Sequence, residues 1–205
     1  LDNSYNEEDL TDFDKRLKEL AEVEDVEYVV EPKFDGSSIA IIYENDILVR
    51  AATRGDGTRG EDVTPNVKTI QSIPLRANFS QFGIKKIELR GEIVIHRDVF
   101  KEVNEKRAEK GEKLLANARN SAAGGLRVKD PKEAKARGLD AFMYQVGHAS
   151  DAGGNDLLRM QLTNHFKNME MLGKLGFRVP LNESKVCNNI KAVNSFILGW
   201  EGKRE

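Results

Sequence analysis

SIAIIYENDILVRAAT, residues 38–53, is the stretch that decides the fold. Two runs rich in aliphatic and β-branched residues stand on either side of Asn45-Asp46, a pair typical of a tight turn. The run VEYVV at 26–30 precedes them, so together the three runs predict an antiparallel meander. Farther along, IKKIELRGEIVI at 84–95 alternates between aliphatic and polar positions, which predicts another strand with one apolar face.

Helical patterns flank these strands. Apolar side chains recur at three- and four-residue steps over 10–20, with Asn6 as a cap. Asp98 can cap a charged helix, and two amphipathic helices are predicted over 158–172 and 190–200. Because strands and helices mix without a strict strand–helix–strand rhythm, we expect an α+β domain with a largely antiparallel sheet.

Composition narrows the classes of protein. The 205 residues are 39% hydrophobic and 32% charged, which is typical of a soluble globular protein with one core or two small ones. No apolar stretch is long enough to cross a bilayer. The single cysteine, Cys187, excludes an internal disulfide and a cysteine-rich zinc site, so we expect a cytoplasmic protein. With a net charge of -2, nucleic-acid binding requires a local basic patch or parts outside this chain.

EPKFDGSS at 31–38 places Lys33 after an apolar run and before Asp35 and Gly36. If the strand continues, the side chains of Lys33 and Asp35 share a face, and Gly36 permits a sharp turn and close approach of a ligand. A lysine amine attacks only when unprotonated, which requires desolvation or neighbouring cations. The alternative is a hairpin with a solvated lysine, and the short pattern by itself favours that alternative.

Arg54 and Glu92 are further candidates. Arg54 opens the glycine-rich segment RGDGTRG, which can present backbone N–H groups and a guanidinium to phosphate or ribose. The alternative is a flexible surface turn. Glu92 lies in a predicted strand, on the face opposite the aliphatic residues, where it either faces a ligand or is solvated.

The string ANARNSAAGGLRVKD at 116–130 places Arg119 and Arg127 among small residues that let a partner approach closely. It predicts either an anion or polynucleotide contact or a small-residue helix with a solvated charged face. Tyr144, in the predicted strand DAFMYQVG, can stack on a base. A tyrosine on a strand is, however, more often a core residue with its hydroxyl bonded.

Five motifs in order give the sequence a family resemblance. EPKFDG, AATRGDGTRGEDVTPNVKTI, ELRGE, ANARNSAAGGLR and FMYQVG occur in that order. The chain resembles the nucleotidyltransferase (adenylation) domain of bacterial NAD-dependent DNA ligases, almost continuously over 1–147. The resemblance implies a nucleotidyltransferase, ATP-grasp-like fold with mainly antiparallel sheets flanked by helices.

The resemblance implies a chemistry for Lys33. This lysine would attack the α-phosphorus of NAD, release nicotinamide mononucleotide and hold AMP as a phosphoramidate. AMP then passes to the 5′-phosphate of a DNA nick, and the 3′-hydroxyl seals the strand. Asp35 matches the aspartate that supports the lysine, and Arg119 and Arg127 match arginines of the later steps.

The resemblance also implies the contacts to NAD. The expected residues are Leu1, Glu31, Arg54, Glu92 and Tyr144. Glu31 would accept a hydrogen bond from the adenine amino group, Leu1 would lie by the adenine, and Tyr144 would stack on it. Arg54 and Glu92 would contact the ribose and the phosphates. Magnesium is expected, held mainly by phosphates and water and not by protein ligands.

The same resemblance implies that residues 1–205 are part of a larger ligase. Compared with the family, the chain lacks the subdomain for nicotinamide mononucleotide, the final strands, the OB-fold, the zinc finger and the helix-hairpin-helix region. Zinc is therefore expected only outside this chain. We expect a monomer that acts on nicked double-stranded DNA, with no membrane partner. The alternatives are a non-catalytic adenine-nucleotide-binding module and, disfavoured by the longer motifs, an ATP-dependent RNA ligase or capping enzyme.

Overall fold

The computed structural model describes residues 4, 6–55, 57 and 59–201. They divide into two compact units, one made of residues up to Pro32 together with those from Leu181 onward, the other of Lys33–Pro180. In chain order the elements are α1 (Glu7–Ala21), β1 (Tyr28–Val30), β2 (Ser37–Glu44), β3 (Ile47–Thr53), α2 (Thr64–Val67), a 3₁₀ turn (Phe79–Phe82), β4 (Lys86–Val94), α3 (Arg97–Glu109), α4 (Ala118–Leu126), α5 (Pro131–Ala136), β5 (Asp140–Ser150), α6 (Leu157–Met160), α7 (His165–Lys174), β6 (Lys185–Cys187) and α8 (Ile190–Glu201). Within the described ranges, no helix is long and apolar enough to span a membrane.

The first unit contains α1, β1, β6 and α8. As predicted, α1 begins after Asn6, whose side chain accepts from the backbone N–H of Asp9 at 2.8 Å. Strand β1 pairs antiparallel with β6 in a two-stranded sheet, so the prediction that VEYVV belongs to the meander was wrong. The partner strand lies more than 150 residues away in the chain, where no local pattern could indicate it.

The second unit is built on a four-stranded sheet in the order β3-β2-β4-β5, with all neighbours antiparallel. The predicted hairpin over 38–53 is confirmed. Asn45 and Asp46 take φ values of 48° and 70°, the positive values that a tight two-residue hairpin turn requires. An α+β architecture with mainly antiparallel sheets is therefore confirmed.

The sheet has one sealed face. Strand alternation places apolar side chains there, and seven of them are less than 2% exposed: Ile41, Tyr43, Leu48, Ile87, Leu89, Ile93 and Met143. The opposite face carries half-buried and exposed residues, among them Ser38, Ala40, Arg90, Glu92 and Phe142. The predicted split of 84–95 into an aliphatic and a polar face is confirmed.

Two predicted helix features were wrong. The single helix over 158–172 is two helices, because Asp156 caps α6 and Asn164 caps α7 through bonds to backbone N–H groups. The other feature is the cap of α3, whose N-cap position is held by His96; Asp98 lies in the first turn. An acidic residue in the first turn still interacts favourably with the helix dipole.

A polar cluster ties the start of β5 to its surroundings. The carboxylate of the buried Asp140 bonds His96 Nε2 at 2.6 Å, Arg178 and its neighbour's backbone N–H. That N–H, of Ala141, also bonds Ser72 Oγ at 3.0 Å. Burial acts to raise the pKa of Asp140, but the hydrogen bonds and the Arg178 charge outweigh it and hold that pKa below its ordinary value.

Candidate active site

The sequence-predicted residues of the second unit come from segments that meet at one end of the four-stranded sheet. The start of β2, the end of β3, the end of β4 and the start of β5 lie together there, because neighbouring strands are antiparallel. Ser38 pairs with Glu92, and Glu92 pairs with Phe142, so the three side chains form a row across the open face.

The Lys33 segment, which comprises residues 31–36, leads into β2 and so into this row. Gly36 lies so close to β4 that a Cβ at this position would be 2.1 Å from the Ile93 carbonyl oxygen and 3.0 Å from Cγ of Glu92. Only glycine permits this approach. The ring of Phe34 stacks on that of Phe142, with centroids 4.3 Å apart and an interplanar angle of 14°. Lys33 itself is exposed, and the segment around it is fastened on both β4 and β5.

Glu92 is held in place and half-buried. The hydroxyl of Ser38 donates to Glu92 Oε2 at 2.9 Å. The carboxylate is thus oriented by its cross-strand neighbour. An oriented carboxylate of this kind suits a ribose hydroxyl, which donates to it.

Arg54 follows Thr53, the last residue of β3, and is exposed. The glycine-rich loop folds back on this strand end, since Thr53 and Glu61 exchange two hydrogen bonds, from Thr53 N to the Glu61 carbonyl and from Glu61 N to Thr53 Oγ1. Gly55 has a φ of +54°, and a Cβ there would be 1.7 Å from the carbonyl oxygen of Arg59. Hydrogen bonds between Thr53 and Glu61 therefore join the two ends of the loop, directly beside Arg54.

Tyr144 lies where the pairing of β4 and β5 shifts register. Gly91 pairs with Met143 and Arg90 with Gln145, which leaves Tyr144 as the extra residue of a bulge. It is half-buried. Bulges re-aim side chains and are common beside active sites.

Two predicted arginines form ion pairs with carboxylates of the same region. Arg119 Nη1 lies 3.3 Å from Asp35 Oδ1, and Arg127 Nε lies 2.7 Å from Glu61 Oε2. All four side chains are more than half exposed. These contacts link α4 to the Lys33 segment at one point and to the glycine-rich loop at another.

Helix α4 is fixed by a buried amide. Asn66 donates from its side chain to the carbonyl oxygens of Leu126 and Val128, at 2.7 and 2.8 Å. These carbonyls flank Arg127 in the chain, so its backbone is held from both sides. A cleft of about 270 Å³ opens here, lined by residues 61–63 after the glycine-rich loop, by α2 and by residues 126–129 at the end of α4.

The remaining two predicted site residues are not among the described residues of the second unit. Glu31 is half-buried and belongs to the first unit. Leu1 lies outside the described residues. Among the residues that the structure describes, no group of three His, Cys, Asp or Glu side chains is arranged to hold a metal ion.

The comparison with protein families decides the assignment. A family model described as the NAD-dependent DNA ligase adenylation domain matches residues 1–205. The chain belongs to this family. The resemblance seen in the ordered motifs is thereby confirmed.

Individual relatives agree with the family. The chain is 52% identical to a DNA ligase of Persephonella marina, 54% to one of Sulfurihydrogenibium azorense and 46% to one of Aquifex aeolicus, each over 205 residues and the whole of this chain. It spans 29% of the length of the first two proteins and 28% of the third.

Several residues of the candidate site were not predicted. Ser38, Phe34, Phe142, Glu61 and Asn66 contact the predicted residues or fix their backbones. Ser38 and Phe142 could not be predicted because the sequence does not give the strand register. It is the register that pairs both residues with Glu92. Asn66 had a signal in the sequence, an amide just inside a proline-started helix, but its partners lie 60 and 62 residues away.

Proposed function

We propose that this chain carries the lysine-adenylation chemistry of an NAD-dependent DNA ligase, with Lys33 as the nucleophile. The observation that carries the proposal is the docking of the Lys33 segment beside Glu92, at the sheet end where Arg54 and Tyr144 also lie. A nucleophile, a cation, an oriented acceptor and an aromatic ring are the groups that recognition and transfer of an adenylyl group require.

In the proposed reaction, Lys33 Nζ loses its proton and forms a bond to the α-phosphorus of NAD. Nicotinamide mononucleotide leaves, and AMP remains on the lysine as a phosphoramidate. Arg54 stabilises the charge on the phosphates, Glu92 accepts from the ribose and Tyr144 stacks on adenine. Asp35 supports the lysine as an acidic neighbour two residues away in the chain.

Glu31 and Leu1 are proposed to lie beside the adenine, and this proposal is supported by the sequence resemblance alone. Magnesium is proposed to bind the phosphates and water. The carboxylates at this sheet end fit that arrangement, since Asp35 and Glu61 are paired with arginines and Glu92 accepts from Ser38. With these carboxylates already paired, the magnesium ion would be coordinated mainly by oxygen atoms of the substrate phosphates and of water.

Arg119 and Arg127 are proposed to act after adenylation, when AMP passes to the 5′-phosphate of nicked DNA and the 3′-hydroxyl displaces it. Exposed ion pairs contribute only about 0–1 kcal/mol, so a DNA phosphate can replace Asp35 or Glu61 as the partner of each arginine. Arginine binds phosphate through two parallel hydrogen bonds, which favours this exchange.

We further propose that the chain has the nucleotidyltransferase fold and forms the adenylation part of a larger, monomeric ligase of the cytoplasm. The match to less than a third of each relative's length supports the larger protein. Subdomains for nicotinamide mononucleotide, an OB-fold, a zinc finger and a helix-hairpin-helix region would then lie in other parts of it. Zinc is expected only there.

The test uses the full-length protein that contains this chain. Incubation with NAD and magnesium is expected to add the mass of one AMP to the intact protein, and Lys33→Ala is expected to abolish the addition. Lys135→Ala removes another exposed lysine of the same unit and should adenylate normally. Adenylation that survives Lys33→Ala would show that another residue is the nucleophile.

The second candidate is a non-catalytic adenine-nucleotide-binding module. The exposure of Lys33 is the observation in its favour, because an exposed amine is not desolvated. Calorimetry with AMP and NAD, followed by nick sealing, separates the two. Binding without any lysyl-AMP or sealed DNA in the full-length protein would favour the module.

A further inference from the structure

Phe34 and Phe142 make the stacked contact next to the proposed nucleophile. Their ring centroids are 4.3 Å apart and nearly parallel, at 14°. Phe34 is the residue directly after Lys33, and Phe142 pairs with Glu92 across β4 and β5. The Phe142 ring also lies edge-on to the His96 ring, with centroids 6.2 Å apart.

We propose that Phe142 is a positioning residue, which holds the Phe34 ring and through it sets the place of the Lys33 amine. The inference rests on the proposed role of Lys33 as nucleophile. Phe142 would not touch the reacting atoms, and its effect would be confined to the step in which Lys33 attacks.

The backbone around Lys33 needs such an anchor. Residues 31–36 belong to no strand or helix, so no ladder of backbone hydrogen bonds fixes them. The Asp35–Arg119 pair is exposed on both sides, at 78% and 66% of the side-chain surfaces, and constrains the segment little. Gly36 fixes the far end of the segment against β4. The stack is the contact that fixes the residue adjoining the lysine.

The two rings are poorly placed to serve the core. Both are half-buried and Phe142 lies on the open face of the sheet, whereas the core aromatics Tyr43 and Phe79 are each 1% exposed. Replacing Phe142 should therefore disturb the segment more than the fold. A displacement of about 1 Å at a reacting group can lower the rate about a hundredfold.

Phe142→Leu in the full-length protein tests the inference. In single-turnover reactions at saturating NAD and magnesium, the rate of lysyl-AMP formation is expected to fall about 10- to 100-fold, while the KM for NAD changes less than about threefold. Phe142→Tyr keeps the stack and should restore most of the rate. Phe82→Leu replaces another half-buried phenylalanine of this unit and should leave the rate unchanged.

A second measurement separates positioning from general damage. Nicked DNA that already carries AMP on its 5′-phosphate is sealed without attack by Lys33, so Phe142→Leu should seal it at the wild-type rate. Equal losses in adenylation and in sealing of this DNA would overturn the inference. So would an unchanged adenylation rate in Phe142→Leu.

The pair can also be tested as a unit. Phe34→Leu alone should slow adenylation as Phe142→Leu does, and the double variant should be no slower than either, because the contact is lost only once. Fully additive losses would show that the two rings act separately, against the inference. A wild-type protein that forms no lysyl-AMP would refute the proposed function instead, so the two failures are distinguishable.

Discussion

One face of the four-stranded sheet is sealed by aliphatic side chains, whereas the other is open and carries the candidate site. Ile41 and Ile93 on the sealed face have no exposed surface. On the open face, Ser38, Glu92 and Phe142 form a half-buried row. Both faces come from the same strands, so strand alternation separates the residues that stabilise the fold from those that form the proposed nucleotide site.

The largest effect on stability is expected on the sealed face. Ile41→Ala should lower the free energy of unfolding by about 2–5 kcal/mol, because it leaves a cavity in a packed layer. Urea unfolding followed by circular dichroism measures the change. Ile47→Ala removes the same atoms from a residue that is 50% exposed and should change the free energy by less than about 0.5 kcal/mol.

A similar loss in both variants would show that the sealed face does not dominate the stability of this sheet. The comparison depends on exposure alone, since the two isoleucines lie on neighbouring strands β2 and β3.

A smaller effect is expected where a charged group is buried at the end of the sheet. Asp140 is 8% exposed and bonds His96, Arg178 and a backbone N–H. Asp140→Asn should lower the free energy of unfolding by about 1–3 kcal/mol near neutral pH, because His96, Arg178 and the buried Ala141 N–H lose an ionised acceptor.

The pH dependence of the free energy of unfolding shows whether ionised Asp140 stabilises the folded protein. The pKa of Asp140 in the folded protein lies below its ordinary value of 3.8. As the pH falls, the unfolded carboxyl takes up a proton first, so the stabilisation is full above roughly pH 5 and is lost as the pH drops below 3.8.

Urea midpoints measured between about pH 7 and pH 3 test this sign. Asp140→Asn should flatten the acid side of the curve, while Glu170→Gln, at an exposed position of α7, should leave it unchanged. An unaltered slope in Asp140→Asn would contradict the lowered pKa.

Features that depend on residues close together in the chain could be predicted from the sequence. The hairpin over 38–53 rests on a two-residue turn and alternation, and the faces of β4 on alternation alone; both were confirmed. The partner of β1 and the break between α6 and α7 were missed, the first because it is distant in the chain and the second because two polar caps compete with an apolar pattern.

The candidate site shows the same limit. Lys33, Arg54 and Glu92 could be singled out by residue type and by the family resemblance. Their supports could not, since Ser38 and Phe142 become neighbours of Glu92 only through strand register. Register depends on packing of whole strands, and it decides which ordinary serine or phenylalanine belongs to the site.

An effect on stability smaller than that of Asp140→Asn is expected on the open face, at Ser38. Ser38→Ala removes one hydroxyl bonded to Glu92 at 2.9 Å and should lower the free energy of unfolding by no more than about 1 kcal/mol. In the full-length protein, the rate of lysyl-AMP formation at limiting NAD should fall about 2- to 10-fold, because the Glu92 carboxylate loses its orienting donor.

Ser37→Ala is the matched control, since Ser37 pairs with Ile93 and so lies on the sealed side of the alternation. It should leave the rate unchanged, whereas Ser38→Thr, which retains the hydroxyl, should recover most of it. If Ser37→Ala and Ser38→Ala slowed adenylation equally, the reaction would not depend specifically on the open face of the sheet. A loss confined to Ser38→Ala would instead tie the reaction to the row that runs through Glu92.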